Sequence, residues 1–163
     1  MPIFIRLAGA EDAPAIGAIH VRSWEFAYRG LMPGDYLDGL VANVGDRIQR
    51  WRVNLSTAGP EGRCWAIERD GPLVGFASTG PSRDSDAPPM TGEVMAIYLA
   101  PEVIGTGVGR GLFAYAVQDL LTRGFSPLTL WVLASNQRAR RFYETAGWLP
   151  DGASGPTSKQ APS

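Results

Sequence analysis

Glu93-Val94-Met95-Ala96-Ile97-Tyr98-Leu99-Ala100-Pro101-Glu102-Val103-Ile104-Gly105-Thr106-Gly107-Val108-Gly109 reads as a strand closed by Pro101, then a glycine-rich turn into a helix. The glycines permit a tight turn and close approach of an oxygen-rich group to the backbone. The helix start adds unpaired N–H groups and a partial positive charge. Together they suit a phosphate or pyrophosphate. A glycine-rich helix start with no ligand is the plainer reading of the same residues. Two known phosphate motifs fail. The nucleotide phosphate loop ends in Gly-Lys-Ser/Thr, whereas this turn runs Gly109-Arg110-Gly111. The dinucleotide fingerprint meets Arg110 or Leu112 where its third glycine belongs, and the next strand ends Ala134-Ser135-Asn136 without the ribose-binding acid.

Downstream, Val108 to Arg123 is an amphipathic helix with Leu112, Phe113, Ala116, Val117, Leu120 and Leu121 inward and Gly124 as its cap. Leu128 to Leu133 is continuously apolar, as in a strand covered on both faces. Gln137 to Ala146 is a last helix with Ala139, Phe142, Tyr143 and Ala146 on one face. Upstream, Arg63 to Arg69 and Pro72 to Thr79 form a hairpin about Asp70-Gly71, and Pro81 to Pro89 is a polar loop. Pro2 to Leu7 alternates as a short strand. A helix then starts near Glu11-Asp12 and Pro14 and stops at Gly30 and Pro33. Pro33 to Leu40 and Val44 to Leu55 read as two more helices, the second striped by Ile48, Trp51 and Leu55.

The chain's 163 residues fit one domain, and a hydrophobic content of 45% builds an ordinary core. A net charge of −1 argues against nucleic acid as a partner bound by bulk electrostatics. Cys64 and His20 are the only residues of their kinds, which excludes a disulfide framework and multi-thiolate or multi-histidine metal sites, so no metal is expected. No run approaches the roughly 18–20 apolar residues of a membrane helix. No signal-peptide core stands near Met1. The expectation is a soluble cytoplasmic protein.

The ordered motifs Ile97-Tyr98-Leu99-Ala100-Pro101, Gly105-Thr106-Gly107-Val108-Gly109-Arg110-Gly111-Leu112, Leu130-Trp131-Val132-Leu133-Ala134-Ser135-Asn136 and Ala139-Arg140-Arg141-Phe142-Tyr143-Glu144 resemble the GNAT superfamily of N-acetyltransferases over roughly residues 3–150. Trp24, Tyr28-Arg29-Gly30-Leu31, Pro33, Tyr36-Leu37 and Trp51 resemble a bacterial branch of it. The resemblance implies a mixed, mostly antiparallel α/β sheet with helices on both faces. It implies acetyl transfer from acetyl-CoA to a small-molecule or peptide amine.

Carried over, the backbone N–H groups of Gly105, Gly107, Val108, Gly109 and Arg110 hold the CoA pyrophosphate, with the Arg110 side chain a further phosphate partner. Ile104 stands where the family often has Gln or Arg, so a side-chain contact is missing and the backbone cradle stays. The strands at Ile97–Leu99 and Leu130–Leu133 splay apart, and backbone around Ile97 and Leu99 pairs with the pantetheine arm. Asn136 positions that arm, or simply caps the helix, or both. The N–H of Leu99 polarises the carbonyl. Tyr143 matches the proton donor to the leaving thiolate, a phenol protonated at neutral pH; packing on its apolar helix face is the other reading. Glu93, assigned the parity of Met95, Ile97 and Leu99, takes the amine proton through water, or is a solvated strand-end charge. Trp24, Tyr28 and Tyr36 wall the acceptor pocket, or pack as core. Arg138, Arg140 and Arg141 read as a solvated helix face, His20 as structural, and Cys64 as no nucleophile.

Past Trp148 the pattern departs from the family. Residues 1–150 form the domain, and Asp151 to Ser163 shows no apolar periodicity and reads as a disordered tail. The two terminal family strands are then missing or divergent. The strand at Leu128 keeps an exposed edge, which favours lower stability, a looser acceptor site or a homodimer through that edge. A CoA-binding or regulatory module with little turnover is the second reading, and a non-catalytic interaction domain the third.

Overall fold

Alternating and apolar runs build one seven-stranded sheet, ordered β1-β2-β3-β4-β5-β7-β6. The computed structural model describes residues 2–57 and 59–150, and the backbone of 157–162. The strands are β1 (Ile3–Leu7), β2 (Arg63–Arg69), β3 (Leu73–Pro81), β4 (Gly92–Leu99), β5 (Leu128–Leu133), β6 (Trp148–Pro150) and β7 (Thr157–Pro162). The helices are α1 (Ala13–Tyr28), α2 (Gly34–Ala42), α3 (Val44–Thr57), α4 (Val108–Thr122) and α5 (Gln137–Thr145). Only β4 and β5 run parallel; every other pair is antiparallel. The mixed, mostly antiparallel sheet is therefore as expected. Helices cover both faces. Phe76 and Tyr98 meet His20 of α1 on one side, while Trp65 meets Tyr115 of α4 on the other.

Two irregularities in β4 position the site. First, β4 and β5 pair only at Gly92, Glu93 and Val94, against Leu128, Thr129 and Leu130. Beyond Val94 the two strands part, as the family resemblance implied. Second, the register with β3 steps from Ser78↔Ala96 to Thr79↔Val94, a bulge that adds Met95 to β4. Val94 packs with Phe113 and Leu120 of α4, whereas Tyr98 packs with His20 and Trp24 of α1. Without a bulge, residues four apart on a strand share a face. The assigned parity is therefore corrected: Glu93 lies on the Tyr98 face, opposite Ile97 and Leu99.

The C-terminal expectation is also corrected. Thr157–Pro162 is a strand, paired with β5 at Leu130↔Gln160 through Leu133↔Thr157 and with β6 at Trp148↔Pro162 through Pro150↔Gln160. Along Leu130 to Leu133, β5 is covered by β7 and leaves no open edge there for a homodimer. The part of the tail at 151–156 lies outside the described residues. Thr157 to Pro162 lacks the apolar alternation that marks a strand in sequence, and main-chain ladder bonds supply the pairing instead. Removing residues 157–163 strips the β5–β7 ladder. At about 1 kcal/mol net per hydrogen bond, we expect a loss of roughly 2–4 kcal/mol and a melting temperature about 10 °C lower. A thermal melt of the truncated chain measures this.

Candidate active site

The glycine turn forms as its residues dictate. Gly105 and Gly107 have φ of +83° and +89°, the left-handed region open to glycine, and Gly107 caps α4. Gly109 is needed for proximity: a β-carbon there would stand 2.6 Å from Leu99 Cδ1. The start of α4 is thereby pressed onto the end of β4. The N–H groups of Gly105, Gly107, Val108, Gly109 and Arg110 donate to no acceptor among the described residues, while Thr106 donates to Val103 and Gly111 to Gly107. Those five donors are the set expected from the sequence. The Arg110 side chain is exposed beside them. The acid closest in sequence, Glu102, is held by Arg22 at 2.6 Å.

From this cradle the backbone of β4 leads inward. Ala100 donates to the Val74 carbonyl at 2.8 Å. By strand alternation, the N–H and C=O groups of Leu99 and Ile97 turn away from β3, into the opening between β4 and β5. Asn136 follows β5, at the start of α5. Its Oδ1 accepts from Ala139 N–H at 3.2 Å, capping α5, and its side chain also lies beside the Tyr28 hydroxyl. The cap reading of Asn136 is thus realised.

Tyr143 is 9% exposed and stacks against Phe113 with ring centroids 5.5 Å apart. Burial raises its pKa well above that of a free phenol, and the neighbouring Tyr98 and Tyr28 hydroxyls add to the rise. It is therefore a protonated phenol throughout the neutral range. Its hydroxyl has no hydrogen-bond partner among the described residues. The packing reading of Tyr143 therefore holds.

Trp24, Tyr28 and Tyr36 come together. Trp24 lies 5.0 Å from Tyr28, 6.5 Å from Tyr36 and 6.2 Å from Tyr98, centroid to centroid. Tyr36 is 50% exposed, at the rim. The Trp24 indole N–H is buried and meets no acceptor in hydrogen-bonding geometry among the described residues. It nevertheless faces the Tyr98 hydroxyl closely enough to favour that group's ionised form. Burial dominates at Tyr98 and pushes its pKa to about 12. Tyr98 does not stand out in sequence, because it flanks Ile97 and Leu99 and strand alternation alone says only that it faces the other way.

Glu93 is 1% exposed and already engaged. Its Oε1 accepts from the Arg83 backbone N–H at 3.0 Å, and its Oε2 accepts from Arg83 Nε at 3.1 Å and Nη2 at 2.5 Å. It is not a solvated strand-end charge. Arg83 was missed in sequence because its loop carries no periodicity. The expected solvated face of α5 holds only in part: Arg138 sits 4.6 Å over the Phe26 ring, Arg140 bonds the Ala134 carbonyl at 3.0 Å, and Arg141 is exposed.

His20 is structural, as expected. Its Nδ1 accepts from Trp51 Nε1 at 3.0 Å, and burial, aided by Arg47, lowers its pKa to about 4. In the unfolded chain it titrates near 6.5. Between those values the unfolded state binds the extra proton, so stability falls as pH drops through that window, by roughly 3 kcal/mol at its lower end. Melting temperatures measured from pH 7 to 4.5 should decline, and His20→Gln should flatten that decline. Burial also raises the Cys64 thiol to about 11, which keeps it protonated and poorly nucleophilic.

No helix among the described residues is long and apolar enough to cross a membrane. The profile of the acetyltransferase (GNAT) family matches residues 21–148. The N-acetyltransferase YuaI of Bacillus subtilis is 36% identical over 134 residues, covering 82% of this chain and 73% of that protein. The mycothiol acetyltransferase of Paenarthrobacter aurescens is 32% identical over 103 residues; the match takes in 61% of this chain but only 32% of that protein. Among solved structures, the PaiA N-acetyltransferase of Thermoplasma acidophilum in complex with coenzyme A superposes with a TM-score of 0.80 at 21% identity, covering 99% of each chain.

Proposed function

The chain belongs to the acetyltransferase (GNAT) family and is an acyltransferase with acetyl-CoA as cosubstrate, and from that premise we propose that it moves the acetyl group directly to a primary amine. The observation that carries this reading is continuity. Free amides of the glycine turn lead into the unpaired edge of β4, and the protonated Tyr143 belongs to the apolar cluster against which Ile97 of that strand packs. The residues fit the cosubstrate: five amides at a helix start suit a pyrophosphate, and a free strand edge suits the amides of a pantetheine arm. The coenzyme A complex of the Thermoplasma fold neighbour supports the same choice.

Acetyl-CoA supplies the activated acyl group. The amides of Gly105, Gly107, Val108, Gly109 and Arg110 hold its phosphates, and Arg110 adds charge. The backbone of Ile97 and Leu99 aligns the arm, with Asn136 opposite. The Leu99 N–H donates to the thioester carbonyl and stabilises negative charge as it develops there. Trp24, Tyr28 and Tyr36 shelter the acceptor, which attacks as the neutral amine. The new C–N bond forms, the C–S bond breaks, and Tyr143 gives its proton to the sulfur. The proton shed by the amine leaves through water.

Glu93 we assign to positioning. Its oxygens hold Arg83 and the loop after β3, so they are not free to accept the amine proton. Glu93→Gln should lower stability by about 1–2 kcal/mol, since Arg83 is 62% exposed and keeps its hydration. The pH profile of kcat/KM should not move. Disappearance of its acid limb would restore Glu93 as the base.

A module that binds CoA without turnover is favoured by Ile104 alone, because β6 and β7 are in place. The two readings part on amine-dependent release of CoA thiol. Release across an amine panel supports transfer; acetyl-CoA binding without release supports the module.

A further inference from the structure

The sheet ends at β1, with β2 and β3 between it and β4, and no described strand pairs with its outer edge. The polar groups of that edge have a fixed order. The Pro2 carbonyl accepts from Asp70 N–H at 3.1 Å, and Ala8 N–H donates to the Cys64 carbonyl at 2.9 Å. The register between those two bonds is unbroken, so Phe4 and Arg6 also turn their N–H and C=O groups to β2. Ile3, Ile5 and Leu7 turn theirs outward. Ile3 is 47% exposed, Phe4 65% and Leu7 53%. Leu7 faces Trp65 across the ladder, and Trp65 meets the exposed Tyr115 of α4, so apolar ground runs from the edge onto that helix. No proline, lysine or bulge against β2 guards Ile3–Leu7. Its one charge, Arg6, is held by Asp12 at 2.8 Å and by Glu68 at 3.4 Å.

We infer that this edge is an interface between two copies of the chain, joined by antiparallel β1–β1 pairing about a two-fold axis at Ile5. The occupant follows from self-complementarity. In that register Ile5 faces Ile5 of the second copy and Ile3 faces Leu7, and each facing pair exchanges both of its main-chain bonds. No other register within Ile3–Leu7 uses all three outward residues. A shift by one residue sets outward groups against Phe4 or Arg6, whose own groups are spent on β2. The exposed Ile3 and Leu7 side chains cover each other. Arg6 of each copy comes opposite Phe4 of the other, so the like charges do not face and each guanidinium gains a ring. Five strand residues a side, against the roughly 20–30 of a standard interface, make a reversible dimer that forms at micromolar concentrations.

The test is sedimentation velocity of the full chain from about 5 to 500 μM, where a monomer should pass into a dimer as concentration rises. Ile3→Glu alone and Leu7→Lys alone should each weaken association at least about tenfold, because each sets a charge against an apolar side chain. The double variant Ile3→Glu/Leu7→Lys sets opposite charges face to face in this register and should associate more tightly than either single variant. Melting temperatures taken at the lowest concentration should agree within about 3 °C across the four proteins, since both positions are exposed, and this reports that each is folded. A monomer throughout the range leaves the edge to a strand of some other protein and overturns the inference. A dimer that the single variants do not weaken lies elsewhere on the chain and overturns it too. So does a double variant no tighter than the single ones, because Ile3 then does not face Leu7. None of these outcomes bears on the transfer reading.

Discussion

Gly107→Glu leaves a folded protein that acetyl-CoA no longer stabilises. In the wild type, acetyl-CoA at about a hundred times its Kd adds roughly 2.7 kcal/mol and raises the melting temperature by about 5–10 °C. In the variant that rise is absent. Gly107 has φ of +89°, and a β-carbon there points into open space. Substitution therefore strains the backbone by about 1–2 kcal/mol without a clash. The larger effect is electrostatic. A carboxylate set at the start of α4 takes the same N–H groups that a pyrophosphate needs, and repels it. We expect at least about a hundredfold loss of affinity, from removal of the charge-assisted hydrogen bonds. Gly107→Ala carries the strain alone and should keep most of the binding. Thermal shift with and without acetyl-CoA, on all three proteins, separates strain from charge.

Tyr143→Phe should lower kcat by about a hundredfold with little change in acetyl-CoA affinity, the usual scale of a lost general acid. The ring keeps its stacking on Phe113, and the hydroxyl removed has no hydrogen-bond partner among the described residues. Stability should stay within about 1 kcal/mol. Burial holds the phenol protonated, so the wild-type rate should show no loss through deprotonation of this group in the neutral range. Single-turnover thiol release under saturating acetyl-CoA measures the chemical step. An unchanged rate would leave Tyr143 a packing residue and move the donor role to water.

The cradle was legible because its chemistry is written locally. Gly105, Gly107 and Gly109 sit at fixed spacing before an amphipathic helix, and left-handed φ and close approach follow from residue type alone. The strand and helix order from Arg63 to Thr145 was legible for the same reason, since period two and period 3.6 separate cleanly there. The aromatic wall was legible as residue types, although which ring faced which was not. Two features were hidden. The bulge at Met95 leaves no mark in composition, yet it moves Glu93 to the Tyr98 face and with it the expected role of that carboxylate. Strand β7 is hidden because Thr157 to Pro162 lacks apolar alternation and depends on the ladders offered by β5 and β6.

Calorimetric titration of the purified chain with acetyl-CoA puts the whole arrangement to trial, because cradle, open strand edge and tyrosine must all serve one ligand. One saturable site per chain is predicted, with the same site closed by Gly107→Glu. A folded chain that gives no saturable heat with acetyl-CoA would contradict the transfer reading at its root.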